Sequence, residues 1–154
     1  LTRRLIASST MDILQKATVV KVDRTPRTFA EALGDSELIA LYFSAHWCPP
    51  CRMFTPVLAN FHKQLKQAGK KFEVIFVSSD HNEEEMYGYM KESHGDWYAV
   101  KYDDPHRRRL SSHFHITGIP MLVILNKSGK VVAQDARSDV QGKGSAAWDE
   151  WIKA

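Results

Sequence analysis

Leu38-Ile39-Ala40-Leu41-Tyr42-Phe43-Ser44-Ala45-His46-Trp47-Cys48-Pro49-Pro50-Cys51-Arg52-Met53-Phe54-Thr55-Pro56 decides both the fold and the chemistry of this 154-residue chain. Leu38 to Phe43 is an unbroken apolar run, as expected of a buried strand. From Pro49 to Gln67 the pattern changes: Phe54, Val57, Leu58, Phe61 and Leu65 recur at the spacing of one helix face. Gly69 is the expected stop, and Pro56, inside the helix, the expected kink. Cys48 therefore falls where a strand has ended and a helix begins. A helix start carries about half a positive charge and free N–H groups, and both favour a thiolate over a thiol. Cys51, three residues on, shares the same helix face. Pro49 and Pro50 suit a first turn, where missing N–H groups do least harm, and they stiffen the loop. With this spacing the first sulfur can attack a disulfide, and the second can attack the resulting mixed disulfide.

Upstream, Thr18 to Val22 predicts an edge strand, Asp23 to Arg27 a turn, and Phe29 to Leu33 a short helix closed by Gly34. Downstream, Phe72 to Val77 is a second buried strand. Asn82 to Ser93 predicts a helix whose first turn holds Glu83, Glu84 and Glu85 at its positive end. Trp97 to Tyr102 predicts a short strand, and Pro105 opens a helix over Arg107 to Phe114. Met121 to Leu125 and Val131 to Gln134 form a hairpin across Lys127-Ser128-Gly129-Lys130, and Ser145 caps a last helix through Ile152. Alternation of strand and helix implies a parallel core, and the hairpin makes the sheet mixed. The expectation is an α/β fold, a central mixed sheet with helices on both faces, formed by residues 11–154 as one domain. Residues 1–10 are set aside as an expression remnant or a disordered N-terminus, with Met11 a candidate start.

Net charge is +3, short of the clustered basic surface of a nucleic-acid binder. No run approaches 18 apolar residues, and Leu5-Ile6-Ala7 is too short for a secretory core, so a membrane or secretory role is not expected. The chain has two cysteines, and closing a four-residue loop between them would stabilise by only about 2 kcal/mol. Chemistry at the dithiol in a reducing compartment, the cytoplasm with the nucleus as a second location, is the expectation. Zinc is an alternative, but it needs two more ligands. His62 is the nearest candidate, with Lys66, Gln67 and Ala68 where a partner histidine belongs, so no metal is expected. Two inert buried thiols are the other alternative. His113 and His115 lack acids or cysteines to complete a site, Arg107-Arg108-Arg109 reads as a solvated helix face with a docking patch for an acidic partner as the lesser option, and Trp148 and Trp151 read as core.

The run from Ala40 to Pro56 is similar, nearly residue for residue, to the tryparedoxin and nucleoredoxin branch of the thioredoxin superfamily. Phe72 to Asp80 resembles its next strand, and Gly118-Ile119-Pro120 stands where the superfamily carries a cis-proline facing the dithiol. The resemblance covers about Leu38 to Trp151. It implies a thioredoxin-like fold with Cys48 as nucleophile and Cys51 as resolving thiol. Trp47 would flank the site as an apolar lid, and Pro120 would present the backbone of Ile119 to an extended substrate. Pro49-Pro50 marks the branch, since ordinary thioredoxins carry Gly-Pro between the cysteines. Tyr42 stands where ordinary thioredoxins bury an aspartate, so water or another group would take the Cys51 proton. Ser79 replaces a tryptophan of tryparedoxins, and Arg137 matches an arginine of the branch. The implied function is a thiol–disulfide oxidoreductase reducing protein disulfides. It would be a monomer without bound cofactor, recycled by an external thiol reductant or reductase. The rival is a redox-regulated binding module with little turnover, and a second is an oxidase or isomerase of a secretory compartment.

Overall fold

A computed structural model describes residues 9–154. The elements are α1 (Thr10–Lys16), β1 (Thr18–Val20), β2 (Arg27–Thr28), α2 (Phe29–Leu33), β3 (Leu38–Ser44), α3 (Pro49–Gln67) and β4 (Phe72–Ser78). They continue with α4 (Glu83–Ser93), β5 (Tyr98–Val100), α5 (His106–His113), β6 (Met121–Asn126), β7 (Val131–Ala133), α6 (Arg137–Lys143) and α7 (Ala146–Lys153). The strands form one sheet in the order β2-β1-β5-β4-β3-β6-β7. β3, β4 and β5 run parallel, while β1, β2, β6 and β7 pair antiparallel. The sheet is mixed, as expected.

Helices cover both faces. β3 sends Leu38, Ala40 and Tyr42 into one core with α3, α4, α6 and α7, and Ile39, Leu41 and Phe43 into another with α1, α2 and α5. Because all seven residues of β3 are buried, both of its faces must be apolar, which is why the strand reads as a continuous run. The register of β3 on β4, from Leu38↔Phe72 to Ser44↔Ser78, brings both strands to an end together. The loops that follow them build the functional site at one edge of the sheet.

The longest helix and the buried strands fall where the sequence places them. The short elements differ. β1 lies inside the sheet, since β2 pairs outside it. Strands of two and three residues give no periodicity to read. Ser9 and Thr10, set aside above, belong to the domain. Ser9 caps α1 in a reciprocal capping box with Asp12, and the Thr10 hydroxyl bonds His113 Nε2 at 2.9 Å. Residues 1–8 lie outside the described residues. Ser145 makes no side-chain cap on α7, and α6 is an unpredicted helix of seven residues. Arg107 is buried, not part of a solvated face. Its Nε donates to the Tyr102 carbonyl and its Nη1 to the Ser78 carbonyl, both at 2.7 Å.

Candidate active site

α3 begins with Cys48 as its N-cap and Pro49 and Pro50 in its first turn. In place of a hydroxyl or carboxylate, the Cys48 sulfur is the capping acceptor: the Cys51 N–H donates to it at 3.3 Å. Cys48 is 5% exposed and Cys51 fully buried, and both thiols are free. The Cys48 thiol also points at the Ile119 carbonyl, 3.8 Å away. The Ile119–Pro120 bond is cis. Ala45 and Ile119 pack against the two sulfurs, so Cys48, Cys51, Ile119 and Pro120 come together from two separated stretches.

Tyr42 is fully buried beneath Cys51, and its hydroxyl donates to the Cys51 carbonyl at 3.4 Å. Thr55 Oγ1 donates to that carbonyl at 2.9 Å and shares a 2.7 Å bond with Tyr42. Tyr89, arriving from α4, bonds Thr55 and also Ser44, the latter at 2.7 Å. The resolving thiol is thus backed by hydroxyls at Tyr42, Ser44, Thr55 and Tyr89. Burial, and then the hydrogen bond to Cys48, push the Cys51 thiol up to about 11. It is held protonated at neutral pH until its proton is taken.

Trp47 is 47% exposed, but it is pinned. Its Nε1 donates to the Ser79 carbonyl at 3.0 Å, and its ring stacks on His81 at 5.5 Å. His46 donates its N–H to Asp80 Oδ1 at 2.7 Å, and its ring faces Tyr89. On the other side, a groove of about 630 Å³ runs past Pro50, Met53, Val57 and Pro120 to Arg137, which is paired with Asp135. His62 packs against Phe72 and Trp97, with Nε2 sealed and unpartnered, and Glu73 lies 3.9 Å away. Among the described residues, no group of three or more His, Cys, Asp or Glu could hold a metal. No described helix is long and apolar enough to cross a membrane.

Every sequence-predicted site residue lies at or under the dithiol. Ser44, Thr55, Tyr89 and Asp80 were missed. Thr55 was within reach, since four residues past Cys51 is the same helix face. Tyr89 had no local signal.

A family model described as thioredoxin-like matches residues 35–131. Nucleoredoxin of Mus musculus is 46% identical over 119 residues, covering 74% of this chain and 27% of that protein. The chain therefore spans about a quarter of the length of that relative. Among solved structures, thioredoxin related protein 16 of Carcinoscorpius rotundicauda is 45% identical with a TM-score of 0.79, covering 90% of this chain and 97% of that one. That protein is described with a role in regulating the activity of the transcription factor NF-kB. Tryparedoxin II of C. fasciculata is 30% identical with a TM-score of 0.77, covering 90% and 94%.

Proposed function

The chain belongs to the thioredoxin-like family, and from that premise we propose that it reduces protein disulfides through Cys48 and Cys51. The observation that carries this is the capping sulfur: Cys48 sits at the helix start on the Cys51 N–H, with a second free thiol directly behind it. The Cys48 thiolate attacks one sulfur of a substrate disulfide, forming a mixed disulfide and expelling a substrate thiolate. Cys51 loses its proton and attacks the Cys48 sulfur. The second substrate thiol leaves, and a Cys48–Cys51 disulfide remains. Two electrons have moved to the substrate, and an external thiol reductant or reductase returns them.

Pro49 and Pro50 hold the first turn, and Tyr42 supports the carbonyl of Cys51. Trp47 walls one side of the entrance. The backbone of Ile119, which faces the reactive sulfur, pairs with an extended substrate segment beside Pro120. With no carboxylate among its hydrogen-bonding neighbours, Cys51 gives its proton to water or to the departing substrate thiolate.

The test is reduction of insulin disulfides with dithiothreitol as terminal reductant. The wild type turns over many equivalents and Cys48→Ser none. Cys51→Ser accumulates a mixed disulfide that mass spectrometry detects at the summed mass. A wild-type rate no greater than dithiothreitol alone overturns the general-reductase reading. The second reading is a redox-controlled binding module, favoured by the role described for the Carcinoscorpius rotundicauda protein. It predicts one equivalent of reduction and a partner affinity that changes with the state of the dithiol.

A further inference from the structure

Arg107 is 9% exposed, yet among the described residues it has no carboxylate within ion-pair distance. Two backbone carbonyls hold its Nε and Nη1, and the Tyr102 ring lies under its Cζ at 4.1 Å, so the guanidinium plane is fixed. Among the described residues its Nη2 has no hydrogen-bond partner and is not among the sealed, unsatisfied atoms. Burial draws its pKa down from the ordinary value, and Asp80, beyond ion-pair contact, offsets that only in part.

Arg107 lines a pocket of about 460 Å³ together with Arg108, Ser111, Ser79 and His81. The one carboxylate in the wall, Asp80, has its oxygens engaged by the His46 N–H and by the Ser78 hydroxyl. The pocket thus offers a fixed guanidinium, a second arginine and two hydroxyls. This set suits the two charges and three oxygens of a phosphate monoester. Its wall continues to the dithiol entrance, because His81 stacks on Trp47 and the Ser79 carbonyl holds the Trp47 ring.

We propose that this pocket is an oxyanion site that takes the phosphate of a phosphorylated serine or threonine on the substrate protein, at the side of the dithiol. This rests on the reductase reading for its purpose, but the binding itself does not. A substrate docked there presents its disulfide across the Trp47 wall, and phosphorylation selects which proteins are reduced.

The experiment follows amide shifts of Ser79, His81 and Ser111 as inorganic phosphate is added, followed by phosphoserine, serine and glutamate versions of one short peptide. Phosphate and the phosphoserine peptide move these amides saturably, and the serine peptide does not. Arg108→Ala and Ser111→Ala lie on the accessible rim and keep the fold. Each weakens the phosphopeptide by about tenfold, the weight of a charge-assisted hydrogen bond. Insulin reduction stays unchanged in both. With a disulfide-containing phosphopeptide as substrate, kcat/KM exceeds that of the unphosphorylated form, and Arg108→Ala removes the preference. Shifts scattered over the lysine-rich surfaces, or a glutamate peptide that binds as tightly, overturn the assignment. Binding without turnover leaves the site standing and sinks the reductase reading.

Discussion

The two faces of the sheet are built from different materials. On the face of α1, α2 and α5, the buried core holds only aliphatic residues and phenylalanines. On the face of α3, α4, α6 and α7 sit all the buried tyrosines and tryptophans among the described residues: Tyr42, Tyr87, Tyr89, Trp97, Trp148 and Trp151. The difference lies in what each face must do. The core of the first only has to be dry, and aliphatic packing achieves that at crystal-like density, with Arg107, Arg108 and Ser111 of α5 kept at its rim. The second lies under the dithiol, where hydroxyls meet the backbone and side chains around Cys51. Stability and chemistry are thereby separated across a single strand, since Phe43 and Tyr42 are neighbours in sequence with opposite duties.

That separation can be broken at three places. Phe43→Ala on the dry face, which loses the packing against Phe114, costs about 3–5 kcal/mol in a urea titration. The activity of the molecules that remain folded is unaltered. Equal loss of activity per folded molecule would join the two faces again.

Acid acts on the other face. His62 and His94 are buried among its rings, and burial lowers them to about 4 and about 3. The folded state keeps both neutral, while the unfolded chain protonates them below about pH 6.5. The unfolded state therefore binds more protons, and stability present above that pH is lost as pH falls. Each histidine contributes a slope of about 1.4 kcal/mol per pH unit. Glu73 and Asp80, raised by burial, oppose this trend. The two histidines together lose about 4 kcal/mol between pH 6.5 and 4.5, and the carboxylates make the net loss smaller. His62→Phe flattens the curve, and urea midpoints across that range measure it.

The smallest effect sharpens the contrast most. Tyr89→Phe leaves the Ser44 hydroxyl without its partner in a sealed site, at a cost of about 1–2 kcal/mol. Adding Ser44→Ala to Tyr89→Phe recovers part of the loss. The double-mutant cycle then yields a coupling of about 1 kcal/mol, and strict additivity would mean that the hydroxyls do not act as a network.

Legibility in the sequence followed the same divide. Trp47 to Cys51 is contiguous, so strand end, helix start and dithiol could be read together. The core face of α3 declared itself through Phe54, Leu58, Phe61 and Leu65, whereas Val57, read with them, is exposed beside the groove. The alternation of β3 and β4 was hidden because both faces are apolar, and only the helices reveal which side is which. The hydroxyl layer escaped because Thr55 and Tyr89 are 34 residues apart and meet only when α4 packs on α3. Arg107 was misread for the same reason. Three consecutive arginines look solvated until the ends of β4 and β5 place two carbonyls over one of them. The first strands of the sheet were too short to carry a period.

The Cys48 sulfur is at once the atom that reacts and the atom that terminates α3, and the proton it accepts belongs to the Cys51 amide. Whatever bonds to that sulfur, a substrate, an alkylating reagent or Cys51 itself, changes the electron density that this one N–H meets. The Cys51 amide resonance is therefore a built-in gauge of the dithiol. In a two-dimensional nitrogen–proton spectrum it separates the free thiols, the mixed disulfide and the closed pair without any label at the sulfurs.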